Sequence, residues 1–278
     1  MWKEAGINPQ SGRSPASNVR FARLAEQVAD DLRSRLLVGD LVDATELPIE
    51  ESLRSQYGVS KPTFREAMRV LEAEGLITIR RGAIGGAVVH RLEAEHVAYT
   101  LGMALAGRGV DISDVAQALQ EVEPACAAAC ALRADRAQVV VPVLTELHEQ
   151  AVAVVDNLVA VTTLSRKFHE AIVDLCGNQS LSMLAGALES LWSSHESAWA
   201  NRRPEGLDIP PSERLDVLGE HRRLIDSIAD GDADAARSLA LRHLISSQNY
   251  PTAEWPEVLI SPASVRARFI ETSTGSPG

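Results

Sequence analysis

The stretch Ser60-Lys61-Pro62-Thr63-Phe64-Arg65-Glu66-Ala67-Met68-Arg69-Val70-Leu71-Glu72-Ala73-Glu74-Gly75-Leu76 constrains this chain more than any other. It reads as a helix with two faces of opposite character. Ser60 is a good N-cap, and Pro62 falls in the first turn, where a missing N–H costs nothing. Phe64, Ala67, Met68 and Leu71 recur at helical spacing and form the stripe that must be buried. Lys61, Arg65 and Arg69 follow at intervals of four and share the opposite, solvated face. Gly75 ends the helix. A capped helix of this size with cations on one face suits a DNA major groove.

The flanks fit that reading. Residues 49–57 form a short helix, and Gly58-Val59 is the turn into Ser60, which together make a helix-turn-helix. Downstream, residues 76–81 are rich in β-branched side chains, 82–86 are a glycine-rich turn, and 87–90 are a return strand. That hairpin is a wing. Arg80, Arg81 and Gly82 sit where it would approach a phosphate backbone.

Here the chain resembles the GntR-type bacterial transcription regulators. The resemblance rests on Leu47-Pro48-Ile49-Glu50, on Tyr57 to Ala67 and on Leu71-Glu72-Ala73-Glu74-Gly75-Leu76, and it is dense over about 70 residues. It implies DNA contacts from Ser60, Lys61, Pro62, Thr63, Arg65, Arg69, Arg80, Arg81 and Gly82. Two positions depart from the family pattern. Lys61 stands where the family usually has Arg, and Glu51 where it often has Arg. A lysine can donate to guanine only as a point charge.

Charge supports a specific binder rather than a coating one. The chain has 278 residues, a net charge of −11 and a pI near 5.2. Yet Arg54, Lys61, Arg65, Arg69, Arg80, Arg81 and Arg91 face only Glu66, Glu72 and Glu74 within that stretch. A basic reading head on an acidic body discourages indiscriminate DNA binding. No apolar run approaches a membrane span and no signal pattern opens the chain, so the expected location is cytoplasmic. Cys126, Cys130 and Cys176 then read as reduced, small packing residues, with metal or redox use as the alternative.

The periodicities divide the chain into a flexible arm (1–19), the winged head (20–91), a linker helix (92–110), an all-α helical domain (111–250) and a tail (251–278). Leu24, Val28, Leu32 and Leu36 mark the head's first helix. In the helical domain, helices are expected over 113–134, 136–155, 162–176, 180–201, 212–229 and 233–248, with a loop over 204–211. No strand pattern appears there. Trp255, Val258, Leu259 and Ile260 give the tail something to dock with.

Three histidines carry the chemistry of this half. His221 and His243 bracket the Gly231 turn almost evenly, so an antiparallel hairpin would set them opposite each other. His169 lies one position off the Leu164/Phe168/Ile172/Leu175 stripe of another helix. Three converging imidazoles can bind a divalent metal, Zn²⁺ preferred. The alternative is three pocket histidines hydrogen-bonded to each other, to Ser165 or to a ligand. Trp192, His195 and Trp199 share one helical face; they line an effector pocket or simply pack in the core. His148 sits in a Glu-rich stretch and reads as solvated.

This half resembles the helical ligand-binding domain, FCD, of the FadR subfamily. The resemblance rests on Phe168-His169-Glu170-Ala171-Ile172, Gly177-Asn178, Glu220-His221-Arg222, residues 228–232 and Arg242-His243-Leu244. It implies a metal on the three histidines that helps hold a carboxylate effector. In metal-binding members an Asp completes the site where this chain has Ser165, and an Arg is common where it has Leu119. Loss of that Arg points to an effector more apolar or extended than a small dicarboxylate.

The expectation is a mainly α protein, with an N-terminal winged helix-turn-helix and a C-terminal helical bundle. It would be a repressor that binds double-stranded operator DNA as a homodimer on an inverted repeat and answers to a small-molecule effector. Two alternatives stay open: a regulator whose helical domain only dimerises, and a metal-dependent enzyme, for which no general-base motif is evident.

Overall fold

A computed structural model describes residues 15–48, 50–80, 86–202, 209–248 and 260. Contacts divide the chain into two compact units, Met1–Leu92 and Glu93–Gly278. Among the described residues, no helix is long and apolar enough to cross a membrane.

The first unit runs α1 (Pro15–Val38), β1 (Glu46–Leu47), α2 (Glu50–Tyr57), α3 (Lys61–Ala73), β2 (Ile77–Arg80) and β3 (Gly86–Val89). Phe64, Ala67, Met68 and Leu71 of α3 are buried as their spacing requires, against Val28, Ala29, Leu32 and Leu36 of α1. Leu24, read as part of the α1 stripe, is instead exposed. Helix α1 also begins five residues before the expected start at Arg20, because Pro15 suits a first helical turn. The rest of the supposed arm lies outside the described residues. Gly75 adopts φ 78°, a left-handed conformation that closes α3 and turns the chain into β2. Arg33 of α1 grips Glu74 at the end of α3 through two parallel bonds of 2.6 and 2.8 Å.

The wing contains one strand more than expected. β1 pairs antiparallel with β3 (Glu46↔Val88, Leu47↔Ala87), giving the order β1-β3-β2. Two residues show no alternation, so only the pairing reveals this strand. β2 and β3 pair from Ile77↔Val89 to Arg80↔Gly86. Residues 81–85, and with them Arg81 and Gly82, lie outside the described residues.

The second unit is helical: α4 (Ala94–Ala106), α5 (Ile112–Leu132), α6 (Arg136–Val139), α7 (Val141–Ala153), α8 (Leu158–Asp174), α9 (Gln179–Arg202), α10 (Pro211–Asp230) and α11 (Ala233–Ser247). α5 packs along α11, and α8 lies between α7 and α9. Their core centres on Phe168, Ile172, Leu144, Leu224, Ile225 and Ile228. The single helix expected over 136–155 breaks at Val140, because Pro142 lacks the N–H that would continue it and starts α7 instead. Gly231, at φ 77°, makes the tight α10–α11 turn. The expected loop over 204–211 falls mostly outside the described residues, and Pro211 already belongs to α10. α4, expected as a linker, packs on α9. Of the tail only Ile260 is described. It is buried with Ile112, Leu119 and Trp192, and its N–H donates to the Val110 carbonyl at 3.3 Å.

Candidate DNA interface and metal centre

The start of α3 is built for exposure of its cations. Ser60 caps the helix by accepting from the Thr63 N–H, and its hydroxyl lies 2.7 Å from the Thr63 hydroxyl. Lys61, Pro62, Arg65 and Arg69 are exposed. Thr63, expected to contact DNA, is 3 % exposed and turned toward Ser60, so it serves the cap. Arg69 lies 3.5 Å from Glu66, and Arg80 donates to Glu46 at 2.7 Å, which ties wing strand β2 to β1. Glu51 is paired with Arg54, whose other end donates to the Val59 carbonyl and braces the turn before α3. That pairing removes much of the repulsion Glu51 would offer a phosphate.

In the second unit, α8, α10 and α11 bring His169, His221 and His243 together. One ligand nitrogen from each lies within 4.8 Å of the others, and all three side chains are buried. The His243 Nε2 is 3.1 Å from the Nε2 of His169 and 3.1 Å from that of His221. Two carboxylates hold the outer nitrogens. Glu123 lies 2.5 Å from His169 Nδ1, and Glu220 lies 2.9 Å from His243 Nδ1. His221 instead stacks flat on Phe168, with ring centroids 4.1 Å apart.

These partners settle the protons. Carboxylates accept, so both Nδ1 atoms donate, and His169 and His243 turn Nε2 lone pairs toward each other. Such a pair requires a proton or a cation between the nitrogens. Burial works against charge on His169, but Glu123 beside it outweighs this and raises its pKa to about 9. Burial and the neighbouring imidazoles push His221 well down, and burial pushes His243 down despite Glu220. A tetrahedral ion with bonds of 2.0–2.1 Å needs nitrogens roughly 3.3 Å apart, close to the spacing observed. Carboxylate-backed imidazoles are the usual outer arrangement around a metal. The residues present therefore fit an imidazole-preferring divalent ion.

His169 and His243 open on a cavity of about 370 Å³ that Ser165, Arg166, Trp192 and Arg214 also line, with Leu158, Val161 and Leu218 as apolar wall; His221 is not part of that wall. Ser165 faces the cavity one turn from His169, as its spacing predicts. Glu189 also lines it, with its carboxyl pushed up to about 8 by burial and by Glu123. Arg166 donates to the Ser193 carbonyl at 2.6 Å, and Arg214 to that of Val155 at 2.6 Å.

Three expectations change. Leu119 is fully buried in the cluster around Trp192 and does not line the cavity, so nothing about the effector follows from it. His195 is buried 5.6 Å from the Trp192 ring but is not part of the cavity wall, and the Trp199 side chain lies outside the described residues. His148 is half-buried, not solvated, and burial lowers its pKa. The three cysteines are buried free thiols, and burial pushes Cys130 up to about 12, consistent with packing. Sequence reasoning missed Glu123 as a site residue. Its signal was an acid among the apolar residues of α5, where an unpaired carboxylate would be costly.

Residues 24–89 match the family described as "Bacterial regulatory proteins, gntR family", and residues 114–246 match "FCD domain". The putative L-lactate dehydrogenase operon regulatory protein of Escherichia coli (strain K12) is 27% identical over 229 residues, 80% of this chain and 84% of that protein. The galactonate operon transcriptional repressor of the same strain is 26% identical over 226 residues, 80% and 94% of the two chains. The solved structure of Streptococcus agalactiae GntR superposes with a TM-score of 0.58 at 22% identity, covering 81% of this chain and 99% of that one, a likeness of fold.

Proposed function

Because the chain belongs to the GntR family of bacterial transcription regulators, with an FCD domain behind its DNA-binding head, we propose that it is a metal-dependent repressor released from its operator by a small hydroxy acid. The observation that carries the sensory half is a cluster of three buried imidazoles, two of which, His169 and His243, open onto a cavity also lined by Arg166 and Arg214. The guanidinium and imidazole groups of this wall suit a carboxylate, and burial pushes the Glu189 and Glu196 carboxyls beside them toward the neutral form, leaving Glu213 and Asp216 as its other acids. Two relatives are named for the L-lactate dehydrogenase and galactonate operons, and L-lactate and galactonate are both 2-hydroxy acids. We extend that class to this chain. Zn²⁺ or a similar ion on His169, His221 and His243, when bound, supplies an electrophile for an effector oxygen.

One recognition helix reads only a few base pairs, so the working form is a homodimer on an inverted repeat of double-stranded DNA. Such a dimer represses by occupying the operator, and effector binding favours a placement of the heads that no longer matches it. The setting is the cytoplasm. The test combines sedimentation with anisotropy titrations on DNA flanking the protein's own gene. A dimer that binds saturably, at least 10-fold more weakly with Zn²⁺ and a 2-hydroxy acid, is the expected result. A monomer on DNA would overturn the dimer. DNA affinity unchanged by every hydroxy acid that raises the melting temperature would overturn the ligand response.

The histidine network also predicts a pH dependence for metal-free protein. His169 is raised to about 9 in the folded state, so its contribution is complete below about 6.5 and fades as pH rises through 9. His221 and His243 are lowered, so theirs is present above about 6.5 and fades as pH falls. Urea midpoints measured without metal should therefore peak near neutral pH. Zn²⁺ should raise the midpoint more at pH 8.5 than at pH 6.5, because less proton must be displaced. Equal increments at both would contradict the network.

A further inference from the structure

Each imidazole that turns Nε2 inward must carry its proton on Nδ1, and that outer N–H needs an acceptor. Glu123 and Glu220 serve His169 and His243. His221 has no such carboxylate: its Nδ1 is buried without a hydrogen-bond partner among the described residues. A second buried nitrogen in the same condition is His148 Nδ1. His148 belongs to α7, which packs along α10, the helix of His221. Arg222 and Asp226 of α10 lie within electrostatic reach of its ring, and His148 in turn lies within that reach of His221. Burial and Arg222 keep His148 neutral, and a neutral imidazole keeps one bare nitrogen. One orphan nitrogen must donate and the other can accept.

We propose that His148 is the outer positioning residue of the third imidazole, its Nδ1 accepting through one bridging water the proton that His221 carries on Nδ1. A buried water joining two otherwise unsatisfied polar atoms is ordinary in protein interiors. The link fixes the His221 tautomer with Nε2 bare and inward, while Phe168 fixes the plane of the ring. His148 lies outside the matched motifs around His169, His221 and His243, so its part follows from packing alone. This inference rests on the reading of the triad as a metal site.

The test is Co²⁺ affinity of the full-length protein in wild type, His148→Phe and His148→Asn. Phe keeps the ring volume but removes the acceptor. Asn restores an oxygen close to the Nδ1 position. The Phe variant should bind Co²⁺ ~10–100-fold more weakly, the usual effect of losing an outer partner, and Asn should recover most of that. In Zn²⁺-loaded wild type, nitrogen-15 histidine spectra should show a protected His221 Nδ1 proton that exchanges away in the Phe variant. Equal affinity in all three proteins would overturn the role of His148. Equal weakening by Phe and Asn would overturn it too, since packing alone would then explain the loss. Wild type that binds no Co²⁺ would overturn the metal triad itself.

Discussion

Alanine in place of His243 should abolish the divalent-metal binding proposed for the histidine triad. His243 is the imidazole both others touch, at 3.1 Å each, so its loss leaves two nitrogens with nothing between them. The fall in Co²⁺ affinity should exceed the ~10–100-fold expected for an outer partner. The fold should tolerate the change, because the Glu220 carboxylate left behind is 28% exposed and can take water. His169→Ala should behave differently. It strands Glu123, which is 0% exposed, and an uncompensated buried carboxylate costs about 3–5 kcal/mol. Cobalt titration paired with thermal unfolding separates the two. Wild-type cobalt affinity in His243→Ala would remove the triad from consideration as a metal site.

The second large effect belongs to the other unit. Arg65→Ala should cost ~1–3 kcal/mol in operator binding, roughly 5–150-fold in Kd, and relax preference at one base pair of each half-site. Because Arg65 is exposed, the melting temperature should hardly move. Lys61→Ala should weaken binding more evenly across sequences and reduce the salt slope. Fluorescence anisotropy on operator and scrambled DNA at matched salt reads all of this. An Arg65→Ala protein with wild-type affinity and selectivity would mean that α3 does not present this face to bases.

Sequence and structure agree where one local rule acts alone. The α3 stripe of Phe64, Ala67, Met68 and Leu71, the Ser60 cap and the Gly75 stop each follow from spacing or backbone preference, and each is observed. The meeting of His221 and His243 followed from the Gly231 turn, since equal distances along an antiparallel hairpin bring positions level. Disagreement arises where a partner far along the chain decides. β1 exists only because β3 pairs with it. Thr63 looked like a DNA contact because of its place in the helix, but the Ser60 hydroxyl claims it. Glu123 reads as an isolated acid until α8 brings His169 to it from 46 residues away. Leu119 occupies a position where related chains carry Arg, but the α5 face it belongs to points into packed core.

Ile260 bears on how this protein should be handled at the bench. The family match in the second unit ends at residue 246, and a cloning boundary drawn there looks natural. It would delete a 7% exposed side chain from the cluster holding Ile112, Leu119 and Trp192, along with its bond to Val110. A hole of that kind costs about 2–5 kcal/mol when Ile is cut to Ala. Trp192 also lines the cavity beside His169 and His243, so a domain trimmed to its family limits would have a slack cavity wall. A fragment made from the second unit should start at Glu93 and run past Ile260.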